Sequence, residues 1–379
     1  RHLAPALRRD GLRGGLLSWD GRLTDDARLV TALARTAAAR GARILTRVRA
    51  LELTSTGARV RDELTGEEGE IRARAVINAS GVWAGGLVDG VRIRPSRGTH
   101  LVLRPESLGP LTAGLHIPIP GESSRFVLVL PQDDGRVDVG LTGAPGDGAR
   151  PPAPPEAPET DIGFLLDVLC SVLHVPVHRG DVVGAFAGLR PLLDTAAGPA
   201  DAAPRTADLS RRHAVLTSSE GVVTVVGGKL TTYRRMAEDA VDAAVRLRGL
   251  GAGPSPTACL PLVGAAPPHV LAALPAPGRL VRLYGTEAPA VHALGTRDPG
   301  LAEPVLPGYP VTRAELLWAL RHEGALDEAD VLDRRTRIGL VPADRETARE
   351  AVRALTDEEL PDGGRAAGQR PWTPTSYSE

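Results

Sequence analysis

The chain has 379 residues, a formal net charge of −1 and 42% hydrophobic residues. That length accommodates two domains, or three small ones, and the near-zero charge argues against nucleic acid or another polyanion as the main partner. No apolar run approaches the ~18 residues needed to cross a bilayer, and the first residues carry no secretory leader pattern.

Cys170 and Cys259 have neither metal-ligand spacing nor a CxxC arrangement, and read as reduced, buried thiols of a cytoplasmic protein. Lys229 is the sole lysine and Asn78 the sole asparagine. Such skew points to a GC-rich coding sequence, in which a surviving lysine or asparagine carries more chemical weight. The chain does not begin with Met, and it reads as a fragment.

The first element is a helix over residues 25–40, with Thr24 as N-cap, acidic residues in its first turn, and Gly41 beyond its end. A strand over 43–48 follows, then two or three short strands around a charged glycine turn at 65–69. Residues 73–78 read as a buried strand. From about Pro95 the pattern becomes short alternating runs at 100–103, 125–131 and 136–141, which predict an antiparallel sheet.

Residues 145–158 are Pro-rich and read as an exposed loop. A helix over 161–173 and a strand over 181–187 come next, then Gly188-Leu189-Arg190-Pro191, where Pro191 is expected to stiffen a turn that holds Arg190. Residues 196–208 read as a loop. The apolar strand 222–226 runs into Gly227-Gly228-Lys229-Leu230-Thr231 and a long helix to about 248. After a Gly/Pro linker at 249–256 the chain turns helical, with a capping box at Thr312–Glu315 and a helix over 345–355. The Pro/Gly/Ser-rich end from 361 reads as disordered.

The strongest chemical signal is the strand, the Gly227-Gly228 pair and the helix that follows. A strand turning sharply into a helix leaves backbone N–H groups free at the positive end of the helix dipole. The glycines permit close approach of a planar or anionic ligand. Lys229 adds a full charge there, and a reduced flavin or a phosphate suits that geometry.

VVTVVGGKLTTYRRMAEDAVDAA resembles the flavin-closing segment of bacterial FAD-dependent glycerol-3-phosphate dehydrogenases. Four further stretches match the same family in order: WDGRLTDDARLVTALARTAAARGA, AVINASGVWA, RPSRGTHLVL and GAFAGLRPLLD. LPGYPVTRAELLWALRHEGALDEADVLDRRTRIGL resembles its helical C-terminal domain. Together the matches span roughly residues 6–355.

The resemblance implies an α/β fold. An incomplete FAD-binding domain, Rossmann-like and of the glutathione-reductase type, covers 1–94 and 209–250. An antiparallel-sheet substrate domain is inserted at 95–208, an α-helical domain covers 257–358, and a tail covers 359–379. The resemblance also implies roles for single residues. Val48, Asn78, Ala79, Gly81 and Trp83 approach the ADP side of FAD, with Gly227, Gly228, Lys229, Leu230 and Thr231 at the flavin. Arg97, Gly98, Thr99 and His100 lie on the substrate side. His100 is a candidate base, because an imidazole titrates near neutral pH. Arg190 suits a phosphate.

The implied reaction takes glycerol 3-phosphate to dihydroxyacetone phosphate, with electrons passed to quinone. It also implies peripheral attachment at the inner face of the cell membrane, and a homodimer is left open. Two features depart from the family pattern. The GxGxxG strand–turn–helix that grips the FAD pyrophosphate is missing, and so is the Ser/Lys/Gly/Arg-rich segment that follows it. The expectation is therefore an N-terminally truncated chain that does not hold FAD tightly alone. Two alternatives stand beside this reading: an amino-acid or 2-hydroxy-acid oxidase of the same fold, and a non-catalytic remnant.

Overall fold

The computed structural model describes residues 3–122, 125–140, 142–145, 155–194 and 212–360. Helix α1 (Asp26–Ala39) is capped by Asp25, whose carboxylate accepts from the N–H groups of Ala27 and Arg28. The cap is thus Asp25, one residue later than the expected Thr24. Both are good caps, and here the carboxylate reaches the orphan donors. Gly41 follows the helix at φ +91°, as expected.

The strand expected at 43–48 does not form there. Residues 42–45 find no sheet partner among the described residues, and the ladder begins at Val48. Strands β1 (Val48–Thr54), β2 (Gly57–Asp62) and β3 (Glu68–Arg72) make a three-stranded antiparallel sheet. Only β4 (Ile77–Asn78) of the expected buried strand at 73–78 enters a ladder.

A six-stranded sheet carries the centre of the molecule. It comprises β5 (Ile93–Leu103), β6 (Leu115–Pro118), β7 (Phe126–Pro131), β8 (Val137–Gly140), β9 (Ala144–Pro145) and β10 (Val182–Leu193), in the order β10-β5-β8-β7-β6 with β9 beside β5. Every pairing is antiparallel. Helix α2 (Glu159–Cys170) packs on one face, where Leu101, Leu103, Val127, Val129 and Val139 meet Ile162, Leu165 and Leu169. Fully burying one such side chain contributes about 1.5–3 kcal/mol.

Strand β10 runs without interruption through Arg190 and Pro191, which pair with Ser96 and Pro95. The turn expected at Arg190-Pro191 is therefore a strand. Proline is tolerated because β10 is the edge of its sheet and Pro191 has no donor to contribute. The loop expected at 145–158 falls largely outside the described residues. The loop at 196–208 and the end from 361 lie wholly outside them.

A smaller sheet joins β11 (Ala214–Thr217), β12 (Val223–Val226) and β4, with β12 parallel to β4. It is continuous with the large sheet through a shared core of Ala84, Val91, Val222 and Val226, against which Ile93 and Leu193 pack. Helix α3 (Tyr233–Arg248) follows β12 and ends at Gly249 in the left-handed conformation.

The remaining residues form helices α4 (Pro268–Ala272), α5 (Gly278–Tyr284), α6 (Ala288–Arg297), α7 (Pro299–Ala302), α8 (Arg313–His322) and α9 (Pro342–Glu359). No helix among the described residues is long and apolar enough to cross a membrane. Cys170 is half-buried and Cys259 is exposed, so the expectation of two buried thiols fails for Cys259, which follows the linker.

The capping box of α8 forms as read, and Glu315 does more than cap. Buried to 2% exposure, it accepts from the Thr312 N–H at 2.9 Å, Arg279 Nη1 at 2.8 Å and the Tyr284 hydroxyl at 3.3 Å. Glu315→Ala would strand the Arg279 guanidinium. A loss of about 3–5 kcal/mol is expected, against about 1 kcal/mol for Thr312→Ala, both read from urea unfolding midpoints.

Candidate active site

The Ser96-Arg97-Gly98-Thr99-His100 segment lies inside β5, where successive side chains point to opposite faces. Arg97 and Thr99 turn toward α2. The Arg97 Nε donates to Asp161 Oδ2 at 3.0 Å, and the Thr99 hydroxyl donates to the same oxygen at 2.6 Å. The Thr142 hydroxyl joins them at 3.3 Å and accepts from the Thr99 N–H at 2.9 Å. Burial alone would push the Asp161 carboxyl up, but these donors hold it below the ordinary value. Arg97 and Thr99 thus anchor the sheet to α2.

The other face carries Ser96, Gly98 and His100. The register places Arg190 opposite Ser96, Gly188 opposite Gly98 and Phe186 opposite His100. Directly paired residues share a face, so Arg190 and His100 stand on the same surface. Arg190 donates to Ser96 Oγ at 3.4 Å and to the Thr142 carbonyl at 3.3 Å. The two glycines leave an open floor between the cation and the imidazole.

His100 stacks on Phe186, with ring centroids 4.9 Å apart and planes 5° apart. Its other side lies over Gly140, where an added Cβ would sit 2.1 Å from His100 Cδ2. His100 Nδ1 is buried without a hydrogen-bond partner. Burial, then the charges of Arg190 and Arg337, push the imidazole down from 6.5 to about 4. The expectation of a histidine titrating near neutrality is corrected accordingly: the ring is neutral at pH 7, chiefly because burial penalises its charged form and secondarily because Arg190 and Arg337 oppose a third positive charge.

The glycine turn lies at the carboxyl end of β12. Gly227 and Gly228 have φ +76° and +77°. A Cβ on Gly227 would meet the Arg212 carbonyl oxygen at 2.7 Å, and one on Gly228 would meet Met236 Sδ at 2.4 Å. The helix is entered through a 3-10 turn, Leu230–Thr232, so the first N–H groups, of Leu230 and Thr231, lack intrahelical acceptors. The Lys229 side chain is exposed and forms no ion pair with a described residue. Arg234 turns away to Glu238 and Thr257.

Asn78 lies beside Thr224 at the carboxyl end of the parallel pair β4–β12, the usual ligand edge of such sheets. It is buried, and its amide shapes the next turn. Nδ2 donates to the Ala84 carbonyl at 3.1 Å, and Oδ1 accepts from the Ser80 hydroxyl at 2.6 Å. Ala79 and Trp83 are exposed beside Gly81, which has φ +61°. Val48 opens β1 opposite Asp62, in a different sheet from the rest. Tight glycines, free helix-start donors and an unpaired lysine fit a large, partly anionic cofactor at this edge.

A profile of the family described as FAD dependent oxidoreductase matches residues 1–234. The chain belongs to the FAD-dependent oxidoreductases. A second profile, described as the C-terminal domain of alpha-glycerophosphate oxidase, matches residues 255–361. Among relatives of this oxidoreductase, glycerol-3-phosphate dehydrogenase 1 of Mycobacterium tuberculosis strain H37Rv is 53% identical over 91% of the chain. The human mitochondrial glycerol-3-phosphate dehydrogenase is 33% identical over 89%. The chain spans 66% of the mycobacterial relative and 49% of the human one. The glycerol-3-phosphate dehydrogenase of Bacillus halodurans, solved with FAD, superposes with a TM-score of 0.76 at 26% identity, covering 95% of this chain and 74% of that one.

Sequence reading missed Asp161, Thr142, Phe186 and Gly140 as parts of the site. Strand periodicity alone could have found Phe186, four residues from Arg190 on one face. Asp161 and Thr142 required the tertiary pairing.

Two outcomes are expected. Between 6.5 and about 4, the unfolded chain binds a proton at His100 that the folded chain refuses, so stability falls as pH falls through that window. His100→Gln should flatten that slope, measured by urea unfolding at its two ends. Gly140→Ala should displace the ring from Phe186, seen as a shifted His100 imidazole resonance with the far-UV spectrum unchanged.

Proposed function

We propose that this oxidoreductase oxidises sn-glycerol 3-phosphate to dihydroxyacetone phosphate, using the surface shared by Arg190 and His100. The single observation that carries the reading is their placement on one face of the β5–β10 pair, above glycine floors. Arg190 offers a guanidinium fork to a phosphate dianion. A substrate held there sets its secondary hydroxyl toward the imidazole.

His100 is neutral and able to take the hydroxyl proton. A dianion beside Arg190 offsets one of the charges that depress the ring, so substrate binding restores basicity where the proton must go. FAD, when bound, supplies the acceptor for the hydride that leaves the same carbon. Lys229 and the N–H groups of Leu230 and Thr231 offer positive potential at the cofactor edge. Arg97 and Thr99 support the strand through Asp161 rather than meeting the substrate.

In this reading residues 1–94 and 209–250 serve the nucleotide, 95–208 the substrate, and 257–358 close the assembly. Quinone as acceptor, at a peripheral site on the inner face of the membrane, is the extension we favour. Its support is the dehydrogenase name of the relatives, which calls for a carrier other than dioxygen.

The test is the visible absorbance of the purified chain with added FAD, followed by glycerol 3-phosphate. Weak binding that saturates only with excess FAD, and bleaching of that flavin on addition of the substrate, are expected. Bleaching by an amino acid or a 2-hydroxy acid instead would overturn the substrate assignment. Arg190→Ala should raise KM at least tenfold, on the order of the energy of one charge-assisted bond, while glycerol, which lacks the phosphate, discriminates little between the two proteins.

A further inference from the structure

We propose that Arg337 is a positioning residue for this site, contributed by the helical domain to fix the placement and charge of the His100 face. The inference rests on the role proposed above for His100, while the placement of Arg337 stands apart from it.

Arg337 has φ +58°, and among described non-glycine residues only Arg47 shares a positive φ. An L side chain held there needs surrounding contacts to sustain it, and such positions concentrate at functional sites. Both residues are arginines that cross the same junction, in opposite directions. Arg47 reaches Asp327 at 2.7 Å and Asp330 at 3.0 Å. Arg337 reaches Asp26 at 3.2 Å and the cap residue Asp25 at 3.6 Å.

The backbone around Arg337 is fastened to the sheet. Its carbonyl accepts from Arg136 Nη1 at 2.8 Å, one residue before β8. Three residues later, the Leu340 carbonyl oxygen lies 2.0 Å from where a Gly184 Cβ would be. Gly184 pairs with Val102, on the same face as His100. Residues 337–340 thus strap that face at the end away from Arg190.

The charged groups facing His100 come from four elements. Arg190 stands on β10, Asp26 on α1, and Arg337 on the strap. Asp138 of β8 is a diagonal neighbour, since it pairs with Val102 while His100 pairs with Gly140. Asp138 Oδ1 is buried without a partner. Burial raises the Asp138 carboxyl, while Arg136 and Arg337 oppose that rise. Arg337 is therefore the cation common to both unpartnered groups, His100 and Asp138. Loss of its charge should let the imidazole take a proton more readily and free the strap from the start of α1.

The experiment is an NMR pH titration of the histidine ring in the full chain, with His100 assigned from the signal lost in His100→Gln. Arg337→Gln should move the His100 midpoint to higher pH by on the order of half a unit, and Arg337→Lys should restore most of it. Asp26→Asn, at an exposed carboxylate, should move the midpoint the other way, so the proposal stays falsifiable if the Arg337 variants fold poorly. The acidic limb of kcat/KM for glycerol 3-phosphate should follow the same order. Unchanged midpoints in all variants, with only the melting temperature lowered, would overturn the proposal. A midpoint that moves as stated in a protein inactive on glycerol 3-phosphate would sink the functional reading and leave this one standing.

Discussion

The alternation of side chains along β5 is the constraint on which the rest of the site depends. One strand serves two purposes because neighbouring residues cannot point the same way. Odd-numbered Arg97, Thr99, Leu101 and Leu103 address α2 and the core. Even-numbered Ser96, Gly98 and His100 face Arg190, Gly188 and Phe186. A one-residue slip of the pairing would exchange the faces, burying the imidazole under α2 and exposing the leucines. The Asp161 cluster guards against that slip, since its carboxylate satisfies Arg97 and Thr99 in only one register.

The same economy governs the junction with the helical domain. Arg28 pairs with Glu323 and lies over the Tyr284 ring at 4.0 Å. Arg35 holds Glu287, and Arg104 holds Asp344. Guanidinium forks suit such sites because they stay charged and bind carboxylates bidentately. Half-buried pairs of this kind add orientation more surely than stability. They fix the helical domain against α1 and the end of β5, and so fix the electrostatic surroundings of the imidazole at long sequence range.

Much of this was legible in the chain, for identifiable reasons. The capping box at Thr312–Glu315, the glycine at 41 and the strand leading to Gly227-Gly228 are local signals set by backbone sterics and helix ends. The short antiparallel strands announced themselves by alternation. Failures arose where tertiary pairing decided. Residues 43–45 had the composition of a strand and found no partner among the described residues, while Arg190-Pro191 looked like a turn and became an edge strand. The depressed imidazole of His100 comes first from burial, then from Arg190 and Arg337, which lie far away in sequence. No window around any of these residues contains that information. Arg97 and Thr99 were grouped with His100 because they are contiguous, and pleating separated them.

Lys229 carries one more consequence. It is the only side-chain amine in the chain, and it stands exposed at the end of β12 with no ion pair to a described residue. Beside the α-amine of the chain, an amine-directed fluorophore or isotopic methyl group would therefore report on one side chain, at the edge where the cofactor is expected. The protein offers its own spectroscopic handle there, and occupancy of that edge becomes measurable as protection of a single side-chain amine.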